Sequence, residues 1–447
     1  MKKISRVLPV WVALVAGCWS LISPAAQADE PADAALKAEI EVLKNRLSNL
    51  ERQVAQGGGE FKGISGIGEK PVAGLLELPS GLQGLQISGY ADVSAIYNFS
   101  APEGVTSNTT APPTTTRTNR GRVFDLQSNG FTIQATELVL EKPVSSEMPI
   151  GFRTDLFFGD DAEVIHSTGL GDVASGDNPV PFDLQQAYAV LRAPVGDGLD
   201  FKIGKFVTLL GAEVIESPAN WNFSRSYLFG FAIPFTHTGV LATYPLGEFG
   251  SVTAGLVNGW DIVDDNNKAK TLIGNLTLTP VQGVSLAFNG ITGAEQASNS
   301  HDRRTVFDFV GTWQALENLA FMANYDYGVE SAGAATSYDA KDWTGLALYT
   351  KYDVTPIWSL VGRWEWFDDH DDFRTGLTSG VTSGAGSFTP HPVKLYGYTL
   401  TSQWKLREHV LGRLEYRHDT SSERVFLTRG SLSNAQDTVS AEVIYHF

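Results

Sequence analysis

The chain has 447 residues, 33 basic and 50 acidic side chains, a formal charge of −17 and one cysteine, Cys18. That acidity excludes nucleic acid as a partner, because phosphate binding runs on clustered Lys and Arg. A single thiol close to the start excludes a disulfide framework and a cysteine-ligated metal.

Lys2, Lys3 and Arg6 precede an apolar run from Val7 to about Ile22, and Ala26-Gln27-Ala28 supplies small residues for cleavage, so residues 1–28 read as a secretory signal. Val15-Ala16-Gly17-Cys18 offers a second processing site, at which Cys18 would become an acylated first residue. Trp19 to Ile22 prolong the apolar run past the cysteine, which favours the first site. Cleavage after Ala28 removes three basic residues, leaving 30 against 50 acidic and a charge of −20. No stretch beyond the signal approaches the roughly 20 apolar residues of a membrane helix. Any membrane crossing must therefore be made by strands in a closed barrel, where no backbone group is left unpaired in lipid.

Residues 29–56 hold the one helical pattern. Leu36, Ile40, Leu43, Leu47, Leu50 and Val54 recur at spacings of 4, 3, 4, 3 and 4, a heptad seam. Glu39 faces Lys44 and Arg46 faces Glu51 in a parallel coil, opposite in sign both times. A lone amphipathic helix is the other reading, but so short a helix is marginal without a partner. Gly57-Gly58-Gly59 ends it, and residues 57–84 are a Gly-rich linker.

Residues 85–447 divide into sixteen strand candidates. In the last, Val439, Ala441, Val443, Tyr445 and Phe447 alternate with Thr438, Ser440, Glu442, Ile444 and His446. Leu319 to Tyr327 and Val410 to Arg417 are written the same way, with rings and aliphatics on one face and polar groups on the other. Seven turn-like connections alternate with eight long polar ones, the long ones being 100–130, 159–181, 208–235, 261–269, 292–303, 328–342, 368–392 and 419–435. This predicts an all-β transmembrane antiparallel barrel of about 16 strands, preceded by a short coiled-coil helix, with both termini on the turn side. Aromatic residues near strand ends, Tyr97 with Phe99, Phe157 with Phe158, Trp364 with Trp366 and Phe367, and Tyr445 with Phe447, suit two interfacial girdles.

Charges crowd the polar face. Arg153, Asp155, Lys202, Arg363, Glu365, Arg413, Glu415, Arg417 and Glu442 are predicted to line a water-filled lumen, which sixteen strands leave open. The third long loop, 208–235, carries Trp221, Phe223, Tyr227, Phe229, Phe231 and Phe235 and is too apolar to stand in water. It is expected to fold inward and present Glu213, Glu216 and Arg225 at a constriction; packing against a neighbouring subunit is the alternative.

Asp368 to Asp372, and Asp160-Asp161 with Glu163 and His166, lack the alternating ligands and central Gly of a calcium loop and read as solvated acidic loops. No metal and no cofactor is expected. His418-Asp419 and other histidines could supply bases for a barrel-rim hydrolase, but no Ser in a nucleophile setting accompanies them, and adjacent strand residues point to opposite faces. A structural envelope tether built on the coiled coil is a third reading.

Gly204-Lys205-Phe206, Gly211-Ala212-Glu213, Asn222-Phe223-Ser224-Arg225-Ser226, Pro234 and His237-Thr238-Gly239 resemble the putative beta-barrel porin-2 family of Gram-negative outer membranes, a similarity extending from Gly89 to Phe447. The resemblance implies a porin-type barrel in the outer membrane. The leading heptads are similar to the coil that opens the trimeric phosphate-selective porins, which implies a homotrimer with the helix in the periplasm. An acidic chain without a ladder of Arg or a dense Lys cluster along its lumen departs from that group and argues against phosphate selectivity. The expectation is a passive channel for small polar solutes and ions, in contact with outer-membrane lipid. A mild cation preference follows from net charge acting at the mouth, within a Debye length of about 8 Å.

Overall fold

The computed structural model describes residues 84–102, 119–145, 147–170, 181–331, 339–378, 391–429 and 431–447. The signal, the seam residues Leu36, Ile40, Leu43, Leu47, Leu50 and Val54, and the linker before residue 84 lie outside them.

Period-two alternation is what a sheet between two solvents demands, and it is realised around a closed wall. Among the described residues the chain runs β1 (Gln86–Asn98), β2 (Gly130–Lys142), β3 (Ile150–Phe158), β4 (Phe182–Ala193), β5 (Leu199–Val207), β6 (Thr236–Pro245), β7 (Gly250–Val257) and β8 (Thr271–Leu278). It continues through β9 (Val284–Ala294), β10 (Arg303–Leu316), β11 (Leu319–Glu330), β12 (Lys341–Thr355), β13 (Trp358–Asp369), β14 (Val393–Arg407) and β15 (Val410–Ser421). A small hairpin, β16 (Phe426–Thr428) and β17 (Ser431–Ser433), precedes β18 (Ala435–His446). Sixteen of these close an antiparallel barrel in which neighbours in sequence are neighbours in space and β1 pairs with β18. The seam is in register, Val93 opposite Val443 and Tyr97 opposite Val439, and Gly89 and Phe447 exchange N–H···O bonds of 3.1 and 3.0 Å.

The two faces are those the pattern predicts. In β18, Val443 and Tyr445 are half exposed while Glu442 and Ile444 are buried; in β11, Tyr325 and Tyr327 face out and Asn324 and Asp326 face in. The eight long and seven short connections fall between the expected strands, with ends shifted by a few residues. The aromatic girdle needs one correction. Tyr97, Phe99, Phe158, Tyr445 and Phe447 are exposed on the outer side, but Phe157 and Phe367 are wholly buried inside, as their odd parity within β3 and β13 requires.

The lumen departs from the expectation of water along its whole length. On the loop side an apolar cluster fills it, with Phe124 from the first long loop, Ile165 from the second, Leu210, Tyr227, Leu228, Phe229 and Phe235 from the third, and Phe426 from the last, packed on Trp343, Phe367 and Leu395 of the wall. Gly328 makes room for this filling, since a Cβ there would lie 2.0 Å from the Trp343 indole. A short helix, α1 (Asp160–Ile165), occupies the second loop, so Asp161 is buried instead of solvated. Six residues are too few for a helical period to register in sequence.

Because the outer face is the lipid face, Leu414→Arg, at a site that is 40% exposed midway along β15, should lower unfolding free energy in bilayers by about 2–4 kcal/mol. Guanidinium titration of tryptophan fluorescence checks this, and an unchanged midpoint would place that face out of contact with hydrocarbon.

Candidate functional site: an inward loop gripped by charged strands

The third long loop, residues 208–235 (L3), lies inside the barrel. It leaves β5 through Gly211, whose φ of 98° suits glycine and whose Cβ would meet Ile233 at 2.6 Å. The Gly211 and Ala212 N–H groups donate to Asp308 of β10 (3.1 Å) and Asn324 of β11 (3.2 Å). The loop then crosses to the opposite wall, where β13 and β15 hold its main chain. Glu415 accepts from the N–H groups of Phe223 (2.8 Å) and Ser224 (3.0 Å), and Glu365 accepts from Tyr227 N–H. Arg413 donates to the carbonyls of Ser217 (3.1 Å) and Asn220, Arg363 to that of Ser224, and Arg417 to that of Arg225 (2.7 Å).

The grip is charge-balanced. Arg363 pairs with Glu213 of L3 at 2.9 Å and with Glu365 at 3.1 Å, Arg413 with Glu442 at 2.7 Å, and Arg417 with Asp419 at 2.8 Å and Glu365 at 3.1 Å. Asp419 also binds Arg122 of the first long loop and accepts from the Tyr227 hydroxyl at 2.6 Å. All these wall groups are buried. Desolvating so many charges is costly, and it is offset because the arginines and acids pair with one another while Glu415, outside the ion pairs, accepts from two backbone N–H groups and the Thr401 hydroxyl.

All nine predicted lining residues sit on the inner face, but not in one environment. Arg363, Glu365, Arg413, Glu415, Arg417 and Glu442 are covered by L3. Arg153 and Lys202 remain partly exposed, and Asp155 is buried beneath Arg153, 2.9 Å away. Of the predicted constriction residues, Arg225 is turned into the loop itself, donating to the carbonyls of Val214 (3.1 Å), Phe223 (2.8 Å) and Ile215 (2.5 Å). Glu213 accepts from Ser226 N–H at 2.7 Å besides its pairing with Arg363. Glu216 is the partly exposed one, held at 2.6 Å by Gln185 of β4.

Sequence reasoning named Asp419 only beside His418 as a hydrolase candidate and missed its part in holding the loops, as it missed Arg122, Asp308 and Asn324. Asp419 continues the parity of Arg413, Glu415 and Arg417 and was findable; Arg122 lies in a loop without periodicity. The reading of 368–372 as solvated acid is also corrected. Asp369 accepts from the N–H groups of Phe373, Arg374 and Thr375 at 2.8 to 3.0 Å and Asp372 from Thr378 at 2.8 Å, so both are buried supports of a turn.

Two loop groups hold the outer end of L3. Arg374 donates to Phe231 O at 2.7 Å between the rings of Trp260 and Trp343, and burial pulls its guanidinium down to about 9. Asp261 accepts from Phe235 N–H at 2.7 Å and Thr236 N–H at 2.9 Å; burial pushes its carboxyl up to about 6 despite both donors. Beneath L3 on the turn side, a cavity of about 750 Å³ is lined by Trp221, Lys351, Gln403, Lys405 and Arg407 among others. On the outer face, His418 binds Asp437 at 2.7 Å, which also accepts from Tyr416; no serine joins this group among the described residues, and Asp419 points inward.

The profile of the family described as "Putative beta-barrel porin-2, OmpL-like" matches residues 84–447. A comparison with curated proteins finds no match. Among solved structures, the chain is similar to the outer membrane channel DcaP of Acinetobacter baumannii, at 12% identity and a TM-score of 0.52 over 81% of this chain and 97% of that one. It is similar also to OmpF of Salmonella typhi, solved in complex with daunomycin, at 10% identity and a TM-score of 0.50 over 81% and 97%. At these identities the likeness is one of fold.

Arg363→Ala should leave Glu213 and Glu365 short of a counter-ion and weaken the seating of L3 by about 3–5 kcal/mol. Trypsin is the gauge: cleavage after Arg225 should accelerate in the variant while the barrel persists, and an unchanged rate would mean that Arg363 does not hold the loop.

Proposed function

Because the chain belongs to the putative beta-barrel porin-2 family and folds as an outer-membrane porin barrel, we propose that it is a passive diffusion channel for small polar solutes and ions, with L3 as its constriction. The observation that carries this reading is the uneven inner wall. From β13 round to β1 the middle of the wall is buried under L3, whereas on the opposite arc Arg153, Tyr188, Lys202, Asn275, Thr312, Met322 and Lys351 keep partly exposed side chains. Solutes pass along that arc, and Glu216 stands at its edge.

Glu216, Glu137 and Asp155 bring three carboxylates to the β2–β4 side of L3, which favours cations there. Lys351, Lys405 and Arg407 around the turn-side cavity oppose it. The net preference for cations is therefore small. Glu213 and Arg225 act indirectly, by fixing the path of the loop that presents Glu216.

The heptad seam of Leu36, Ile40, Leu43, Leu47, Leu50 and Val54 supports a periplasmic coiled coil that joins three copies.

Single-channel recording of the purified protein tests the reading. Openings should come in groups of three equal steps, and Glu216→Gln should move the reversal potential in a salt gradient toward anions. Absence of conductance would favour the tether, and unchanged selectivity would remove Glu216 from the ion path.

A further inference from the structure

The carboxylates of Glu137, Asp155 and Glu216 each place an oxygen within 4.8 Å of the other two. They come from three segments, β2, β3 and L3, so the cluster is where the loop meets the wall opposite the Arg ladder. The hydrogen bonds around it leave acceptor oxygens unmatched. Asp155 is held by Arg153 (2.9 Å) and Gln186 (2.5 Å), and Glu216 by Gln185 (2.6 Å). Glu137 is 97% buried, yet its Oε1 has no partner. Gln185 is fully buried; its Nε2 serves Glu216, and its carbonyl oxygen Oε1 is left over beside the cluster. The Tyr90 hydroxyl, also buried and unpartnered, lies in the field of Glu137 and Glu216.

Neither Glu137 nor Glu216 receives a side-chain cation among the described residues, and Arg153 is shared between Asp155 and Glu141. What this arrangement lacks is a positive charge with several open coordination sites. Buried acceptors without donors are the complement of a metal ion, since oxygens that cannot donate to each other can all coordinate one centre.

We propose that Glu137, Asp155 and Glu216 bind a divalent cation, with Gln185 Oε1 as a neutral fourth oxygen, and that the ion ties L3 to β2 and β3. The donor set is all oxygen, without His or Cys, which selects a hard cation over zinc or copper. Geometric tolerance favours calcium: it takes oxygens at about 2.3–2.6 Å in flexible geometry and so accepts carboxylates from three different segments whose oxygens lie within 4.8 Å of one another, whereas magnesium demands a near-ideal octahedron. L3 is thus fastened on one side by arginines gripping its carbonyls and on the other by a cation gripping its one partly exposed acidic anchor.

Terbium luminescence of the full-length, detergent-solubilised protein, stripped with chelator and excited through its aromatic residues, tests this. One terbium ion should bind per chain, calcium should displace it at lower concentration than magnesium, and Glu137→Gln and Glu216→Gln should each weaken binding by at least about tenfold. Asp371→Asn, in an outer loop, should leave binding unchanged. Glu216 sits in a loop and its side chain pairs with Gln185, so Glu216→Gln keeps the test open should the strand variant fail to fold. As a second readout, chelator should speed tryptic cleavage after Arg225 in the wild type and have no effect in Glu216→Gln. No saturable binding in the wild type, or binding that survives both Gln variants, overturns the proposal. None of these measurements reads conductance, so they stand apart from the channel recordings.

Discussion

Everything in this molecule depends on the requirement that no peptide group face hydrocarbon unpaired, each such group costing several kcal/mol. A sheet meets that condition only when its first and last strands bond to each other, and here the register of β1 on β18 and the exchange between Gly89 and Phe447 complete the circle. Closure imposes the alternation on every strand, because each residue must then face either lipid or interior. It also gathers the polar residues of all sixteen strands into one enclosed volume, where charges that would repel water-free surroundings singly can be matched to one another.

That enclosed volume is filled by two kinds of interaction in layers. Toward the loops, apolar side chains from four connections pack as they would in a soluble core, with Phe124 against Phe229 and Phe235 at 5.5 and 5.4 Å between centroids. Below them, facing L3, lies a band of charges in which Arg363, Glu365, Arg413, Glu442, Arg417 and Asp419 form ion pairs and Glu415 takes the loop's N–H groups. The apolar layer excludes water from the charged one, and low dielectric strengthens each bond while making any unmatched group expensive. Position of the loop is thereby set to within a hydrogen bond, which a loop held by hydrophobic contact alone would not achieve.

The wall was legible in the sequence because its period is two and lipid enforces it; Val439 to Phe447 and Leu319 to Tyr327 showed two faces, and charges crowding one face of such strands told which was wet. The inward course of L3 was half legible: Trp221, Phe223, Tyr227, Phe229 and Phe231 had to be kept from water, but a neighbouring subunit could have covered them as well as the lumen. What each inward charge does was not. Arg153 and Arg363 occupy equivalent places in their strands, yet one is partly exposed and the other is buried against Ser224 O and Glu213. The difference lies in which arc L3 covers, and that depends on contacts between residues some 140 positions apart, such as Ser224 with Arg363. Asp369 and Asp372 were misread for the same reason: a run of acids looks solvated until the backbone N–H groups that curl around them are in view.

The wall grips L3 by its peptide groups: the carbonyls of Ser217, Asn220, Ser224 and Arg225 and the N–H groups of Phe223, Ser224 and Tyr227. Such anchoring is indifferent to most of the side chains that the same residues carry. A solvent-facing position on this strap, like Val214, can therefore be rewritten while the strap keeps its course, so that passage properties are free to diversify on an unchanging frame.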